Sequence, residues 1–249
     1  MIIILIPAYN EEKSIGSLLR GIEGVLGRLE VEHRILVVDD GSTDRTPEVL
    51  ADLEGELPLE VIRHPENRNL GGAMKSGFAR VLETGEEGDF LITLDADNTH
   101  PPEYMVEIYD RLLDGPDVVV ASRYAKGGEE VGLPAHRALL SKGANALFRL
   151  LFPIEGVTDY TGSYRGYRVS ALRKAWGARG AEAIREEGFT VMPEILLTLR
   201  GKGLVFAEVP LVLRYDLKGE ASKMRVARNV FATLRLMLAM RLGGRLDPQ

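Results

Sequence analysis

The sequence of 249 residues contains no cysteine. Neither a disulfide framework nor a thiolate metal site can be built from it. Glutamine is nearly missing too, with Gln249 its single occurrence, and Arg outnumbers Lys by 23 to 8. That bias fits a heat-adapted protein and equally a GC-rich genome, so it decides nothing about function. Long apolar runs are lacking: nothing approaches the ~18 residues of a membrane span. The opening "MIIILIPAYNEE" has too short an apolar core for a secretion signal, and no basic stretch before it. A cytoplasmic protein that does not cross a membrane is expected. Excess positive charge is lacking as well. A net charge of −6 argues against a nucleic-acid partner, because phosphate-binding surfaces make a domain basic.

The remainder is that of an ordinary globular chain, 45% hydrophobic and 27% charged. Its length suffices for one large α/β domain. Apolar runs at Ile2 to Ile6, Arg34 to Val38, Leu59 to Arg63, Phe90 to Leu94 and Asp117 to Ala121 predict strands. They are apolar on both faces, as in a parallel sheet covered by helices. Between them lie helical patterns: Ile15, Leu18, Leu19, Ile22, Val25, Leu26 and Leu29 recur at helix period. Further helices are expected around Met74 to Leu82 and Pro102 to Leu113, and Pro47 with its Ser/Thr/Asp neighbours opens another. The fold class is therefore α/β, a doubly wound, mostly parallel sheet with helices on both faces.

After Ala121 the rhythm changes. "SRYAKGGEEVGLP" predicts a mobile glycine-rich loop, "HRALLSKGANALFRLLF" an amphipathic helix, "VMPEILLTLRGKG" another helix, and "LVFAEVPLVLRY" one apolar strand. The spacing of the four His residues suits no metal, and His33 and His64 are expected on the surface.

Ligands of doubly wound sheets bind beyond the carboxyl ends of the strands. The polar clusters "PAYNEE", "DDGSTD", "NRNLGG" and "DADNT" all fall there. Asp95 and Asp97 lie two apart, so on an extended segment both carboxylates can converge on one hard cation. The competing reading is a cap for the helix after Pro102, for which Asn98 or Thr99 alone would suffice. Asp39 and Asp40 end another strand, where Asx-turns through "GSTD" are the bland alternative. "NRNLGGAMKSG" lacks both the dinucleotide and the P-loop signature.

In order, "PAYNEE", "VVDDGSTDRT", "NRNLGGA", "DADNTHPPE", "SRY" and "DYTGSYR" resemble family 2 glycosyltransferases of the GT-A fold. The later "EVPLVLRYDLKGEASKM" is similar to dolichol-phosphate mannose synthases and bacterial polyprenyl-phosphate sugar transferases. The resemblance spans roughly residues 2 to 225. It implies that Pro7, Tyr9, Glu11, Asp39 and Asp40 hold the base and ribose of a nucleotide sugar, a GDP- or UDP-hexose. It implies that Asp95 and Asp97 bind Mn²⁺ or Mg²⁺, with Asp97 the more direct ligand and Asp95 also facing the donor. Arg214 and Lys223 match contacts to the donor diphosphate. Arg123, Arg137 and Ser141 match positions that hold the phosphate of a polyprenyl phosphate acceptor, and Asp159 a residue near the reacting centre. Inversion at the anomeric carbon is implied too.

There are departures from the family pattern. Thr99 stands where some relatives carry a metal-ligating Gln, so Thr99 or water completes that shell. Asn69 replaces a usual Gly, which is tolerable because Asn visits left-handed conformations. "TGS" replaces the commoner "TSG" after Asp159. An ionised phosphate acceptor needs no general base, whereas a hydroxyl does. Asp159 or Glu194 could supply one, and orienting an Arg is the favoured role.

The expected organisation is a catalytic domain over residues 1–220 and a basic amphipathic helix or tail over 221–249. Val226, Val230, Leu234, Met237 and Leu238 share one helical face, with Arg225, Arg228 and Arg235 opposite. That helix either closes the domain's own core or lies at a membrane surface, on the inner face of the cell membrane. Three functional readings compete with a lipid-phosphate glycosyltransferase. One is a transferase acting on a small soluble acceptor. Another is a sugar nucleotidyltransferase, which would need a Gly-rich basic loop that "PAYNEE" does not supply. The third, a non-catalytic binding protein, would not require two acidic pairs at strand ends.

Overall fold

β1 (Ile2–Ala8) sends Ile3 and Leu5 to one side and Ile2, Ile4 and Ile6 to the other, all fully buried. β-branched side chains suit such a two-sided pleated environment. β2 (His33–Asp39), β3 (Leu59–Arg63), β4 (Phe90–Thr93) and β5 (Val118–Ser122) match the apolar runs to within two residues. Two later strands, β7 (Arg165–Arg168) and β8 (Phe206–Pro210), complete a sheet of order β3-β2-β1-β4-β7-β5-β8. β7 alone runs antiparallel to its neighbours. This is the expected mostly parallel α/β sheet in a computed structural model that describes residues 1–218 and 226–242.

Helices α1 (Ile15–Leu26), α2 (Thr46–Glu54) and α4 (Tyr104–Leu113) cover one face. Helices α3 (Asn69–Thr84), α5 (Ala135–Leu151), α6 (Val169–Trp176), α7 (Val191–Leu199) and α8 (Val226–Arg241) cover the other. Ile15, Leu18, Leu19, Ile22, Val25 and Leu26 of α1 are all buried, as their spacing requires. Gly77 lets α3 sit directly on β1, since a Cβ there would lie 2.2 Å from Leu5 Cδ1.

Four expectations need correction. The run from Leu204 to Tyr215 is not one strand. It breaks at Leu211 into β8 and β9 (Val212–Arg214), and β9 pairs in parallel with β6 (Glu129–Val131) in a second, two-stranded sheet. The segment "SRYAKGGEEVGLP" is consequently no free loop, because β6 lies inside it. His64 is 8% exposed and His33 is half-buried against Glu23, so neither is a surface residue. In α8, Met237 is not on the outer face: it is buried with Leu236 and Met240 against the same core as α3 and α7. Phe231, Leu234 and Leu238 point outward instead, at 72%, 51% and 61% exposure. Arg228, Arg235 and Arg241 flank that outer face rather than opposing it. Arg225 lies outside the described residues.

Candidate active site

The carboxyl ends of β1, β2, β4 and β5 bring the polar clusters to one edge of the sheet. On the β1–β2 side, "PAYNEE" and "DDGSTD" clasp each other. Asn10 adopts a left-handed φ of 54°, and its Oδ1 accepts from the amides of Thr43 (2.7 Å) and Asp44 (3.4 Å). In return Asp44 accepts from the amides of Glu12 (3.2 Å) and Thr46 (2.9 Å), and Thr46 Oγ1 accepts from the amide of Glu11 (2.8 Å). Pro7, Tyr9 and Glu11 lie half-buried along this clasp.

Asp39 and Asp40 are both buried. Asp39 Oδ1 accepts from the Ser42 amide at 3.0 Å, so the turn reading of this pair is realised at that residue. Asp40 Oδ1 accepts from the Arg68 amide at 2.9 Å and meets His64 Nδ1 at 2.6 Å, while His64 Nε2 contacts Ser76 Oγ at 2.9 Å. Asp40 thus ties β2 to the entry of α3. Asn69, at φ 62°, is left-handed as expected. Gly71 answers to packing: a Cβ there would fall 1.8 Å from the Glu186 carbonyl oxygen, and its amide donates to Glu187 at 2.7 Å.

β4 hands over directly to Asp95-Ala96-Asp97. No side chain caps the start of α4, so the acids do not serve that helix. Asn98 instead donates to Ser17 Oγ at 3.0 Å. Asp97 Oδ1 accepts from the Thr99 hydroxyl (2.6 Å) and amide (3.2 Å), and Oδ2 accepts from Lys218 Nζ. Burial opposes the charge of Asp97, yet the Lys218 ammonium and the Thr99 hydroxyl hold its carboxyl below the usual range. Burial likewise opposes the charge of Lys218, and Asp97, then Asp95, outweigh it and push the ammonium up. Thr99 is buried and faces Asp97 rather than the open edge. Asp97 therefore holds a cation in this structure, the ammonium of Lys218, and Asp95 adds a longer-range attraction to it.

Across the edge, antiparallel β7 returns the segment "DYTGSYR" to the end of β5. Asp159 is fully buried and grips Arg123 through two hydrogen bonds, Nε to Oδ2 at 2.7 Å and Nη2 to Oδ1 at 2.8 Å. Its Oδ1 also accepts from the amides of Thr161 (3.1 Å) and Gly162 (3.0 Å), which fixes the "TGS" turn. Burial opposes its charge, but Arg123 and these amides lower its pKa to about 2. Arg123 reaches Glu130 at 3.1 Å. The Tyr124 hydroxyl spans from Glu130 (3.3 Å) to Ser141 Oγ (2.8 Å), and burial raises its pKa to about 12. Arg137 donates to the Tyr215 hydroxyl at 2.8 Å, and Lys218 Nζ sits 5.6 Å from the Tyr215 ring centroid. Arg123 and Ser141 thus share one network, while Arg137 connects through Tyr215 and Lys218 to Asp97.

Arg214 pairs with Asp216 at 2.7 Å in an exposed position, and its amide donates to the Thr99 carbonyl at 3.0 Å. Glu194 is buried and accepts from the amides of Arg185 (2.9 Å) and Glu186 (2.7 Å), bracing that loop. Lys223 lies outside the described residues. The sequence did not single out Asn10, Tyr124, Tyr215 or Lys218. All four sat inside quoted motifs, but the partners of Tyr215 and Lys218 lie 78 and 121 residues away in the chain.

Comparison with known proteins follows this geometry. Residues 3–176 match the family model "Glycosyl transferase family 2". A dolichol-phosphate mannosyltransferase of Pyrococcus furiosus is 34% identical over 98% of this chain, which spans 65% of that relative's length. A polyprenol monophosphomannose synthase of Mycolicibacterium smegmatis is 30% identical over 84% of this chain and 76% of its own. An undecaprenyl-phosphate mannosyltransferase of Micrococcus luteus is 32% identical over 84% of this chain and 82% of its own. Among solved structures, glucosyl-3-phosphoglycerate synthase of Mycobacterium tuberculosis, in complex with Mn²⁺, UDP-glucose and phosphoglyceric acid, superposes with a TM-score of 0.67 at 21% identity. The match covers 100% of this chain and 81% of that one, and it supports the GT-A fold. By family model and by identity, the chain belongs to glycosyl transferase family 2.

Proposed function

We propose that this protein transfers a hexose from a nucleotide sugar to a polyprenyl phosphate at a membrane surface. The observation that carries this reading is the convergence of two sets of groups on one sheet edge. Asp97, beside Asp95, draws a cation; across from it lie Arg137, joined to it through Tyr215 and Lys218, and the separate network of Arg123 and Ser141. An anionic acceptor suits these arginines, because charge-assisted hydrogen bonds to phosphate are the strong kind. The names of the three mannosyltransferase relatives support the same acceptor class.

A divalent cation held by Asp95 and Asp97 would neutralise charge developing on the departing nucleotide. The donor set suits it: the ammonium of Lys218 already stands against Asp97 as a stand-in. Among the described residues no group of three or more acidic, His or Cys side chains is assembled for a metal. With Asp95 and Asp97 holding such a cation, the donor diphosphate and water would supply its remaining ligands. The half-buried strip Pro7, Tyr9 and Glu11 beside Asp39 receives the nucleoside. An ionised phosphate oxygen of the acceptor forms the new bond to the anomeric carbon as the bond to the diphosphate breaks. No base is required, and Asp159 and Glu194 are both committed elsewhere, to Arg123 and to backbone amides. Asp159 serves to hold Arg123 toward the acceptor.

The outer face of α8, with Phe231, Leu234 and Leu238 between arginines, and Leu139 and Leu150 on α5 suit an anionic membrane interface. No described helix is long and apolar enough to cross a membrane. The test is incubation with Mn²⁺, labelled GDP-mannose or UDP-glucose, and a short polyprenyl phosphate. Label entering the organic phase supports the reading, and its nucleotide identifies the donor. Label appearing only on a small phosphorylated acceptor added in parallel would transfer the reading to a soluble substrate.

A further inference from the structure

Asp159 holds Arg123, but what holds Asp159 is a residue on the far strand of the sheet. Glu208 belongs to β8 and stands opposite Val120 of β5. Its Oε1 accepts from the Thr158 amide at 2.6 Å and from the Asp159 amide at 2.8 Å. Its Oε2 accepts from the Thr158 hydroxyl at 2.6 Å. Since Thr158 donates there, its oxygen is left to accept from Ser122 Oγ at 3.0 Å. Ser122 Oγ in turn accepts from the amides of Tyr124 (3.2 Å) and Ala125 (3.1 Å). The proton directions run one way, from Ser122 to Thr158 to Glu208. One carboxyl group thus fixes both the turn that presents Asp159 and the turn that carries Arg123 and Tyr124. An open pocket of about 730 Å³ is lined by Glu208, Thr158 and Tyr160, so this side of Glu208 is not packed over, while Asn145 and Arg165 hold the following residue, Tyr160.

We infer that Glu208 is a positioning residue for acceptor recognition: it orders the Thr158–Asp159 turn and, through Asp159, the guanidinium of Arg123. Glu208 does not itself meet the acceptor. The inference rests on the proposed acceptor site, so its test has one arm independent of transfer. The conservative and the truncating variants separate this role from proton transfer. In Glu208→Gln the amide oxygen still accepts from the two backbone N–H groups, and the Thr158 oxygen accepts from the new side-chain N–H as well as from Ser122 Oγ. Glu208→Ala leaves both amides without their acceptor.

Glu208→Ala should raise the acceptor KM about 30-fold, with nucleotide-sugar affinity by calorimetry unchanged, whereas Glu208→Gln should stay within about threefold of wild type. The independent arm is the ¹⁵N-resolved Nε–H signal of Arg123, assigned by its loss in Arg123→Lys. It should exchange slowly with solvent in wild type and Glu208→Gln, and quickly in Glu208→Ala. If Glu208→Ala does not fold, Thr158→Val removes only the hydroxyl link, and a faster Arg123 exchange there supports the same role. Equal damage from Gln and Ala would make Glu208 an acid or base and overturn the inference. Unchanged Arg123 exchange in both Glu208→Ala and Thr158→Val would overturn it too. If wild type fails to glycosylate polyprenyl phosphate while the exchange pattern holds, the proposed acceptor is wrong and the positioning role stands.

Discussion

The two halves of the ligand edge are built differently. At the β1–β2 side, the clasp of Asn10, Asp44 and Thr46 joins residues about one βαβ unit apart, with separations of 32 to 35. At the opposite side, the contacts that define the site come from far along the chain. Arg137 reaches Tyr215 across 78 residues, Lys218 reaches Asp97 across 121, and Thr158 reaches Glu208 across 50. A nucleotide site of the first kind can be carried by compact motifs. On the proposed assignment, a site of the second kind would let acceptor specificity change with α5, β7 and β8 while the donor side stays fixed.

The sharpest way to break that contrast is at Asp97, where the halves touch. Asp97→Asn keeps the shape and removes the charge that holds Lys218 and, on the proposed reading, a divalent cation. Transfer should fall on the order of 10³-fold, while the melting temperature stays nearly constant because Lys218 can turn to solvent. Scanning calorimetry with EDTA and with Mn²⁺ should show a metal-dependent rise in wild type only. Near-normal transfer by Asp97→Asn in EDTA would sink the cation assignment.

The arginines of the acceptor half come next, and the structure separates two that the sequence treated alike. Among the described residues Arg137 bonds the half-buried Tyr215 hydroxyl and no carboxylate, so Arg137→Gln should cost roughly 2–3 kcal/mol of transfer, about 30- to 150-fold, with the fold intact. Donor affinity should barely move. Arg123→Gln also strands the buried Asp159, which costs about 3–5 kcal/mol of stability on top of any loss of transfer. A urea titration distinguishes them. Equal stability of the two variants, or full transfer by both, would mean that the acceptor half is misassigned.

How much of this was legible follows from the same contrast. The strands at Ile2–Ala8 and Leu59–Arg63, the period of α1 and the acid pair at the end of β4 could be read because each is a local pattern. β7 could not, because "RGYR" is short, polar and carries Gly166, and becomes a strand only between β4 and β5. Lys218 could not be paired with Asp97, because nothing local relates residues 121 apart. The break at Leu211 was hidden inside a continuous apolar run, since β8 and β9 both need apolar residues but belong to different sheets.

Acid, compared between wild type and Asp159→Asn, isolates one carboxyl of the acceptor half from other depressed carboxyls such as Asp44 and Asp97. Asp159 has its pKa lowered from 3.8 to about 2 in the folded protein. A carboxyl depressed in this way stabilises the fold above its unfolded value and loses that contribution as pH falls through the folded one. Between about pH 4 and pH 2 wild type should therefore lose roughly 2 kcal/mol that Asp159→Asn does not lose. Urea midpoints measured across that window should converge. Parallel acid limbs for the two proteins would show that Asp159 is not held by Arg123 as described.

The smallest effect is expected where, on the proposed reading, the acceptor half would meet a membrane, and here the two faces of α8 supply the comparison. Leu236 is fully buried, whereas Leu238 is 61% exposed one face away. Leu236→Ser opens a cavity and buries a hydroxyl, so it should lower the melting temperature by an amount matching about 2–4 kcal/mol. Leu238→Ser should leave stability within about 0.5 kcal/mol, because the side chain is mostly exposed. If the outer face enters the headgroup region, burying a leucine there is worth about 1 kcal/mol or somewhat more. Flotation with phosphatidylglycerol-containing vesicles should then weaken about fivefold in Leu238→Ser, and weaken further in salt because Arg228, Arg235 and Arg241 flank the same face. Transfer to a short, water-dispersed polyprenyl phosphate should be unaffected, since the phosphate site lies on the sheet edge and not on this helix. Loss of flotation in Leu236→Ser but not in Leu238→Ser would mean that α8 serves the core alone, and the lipid would have to approach by another face.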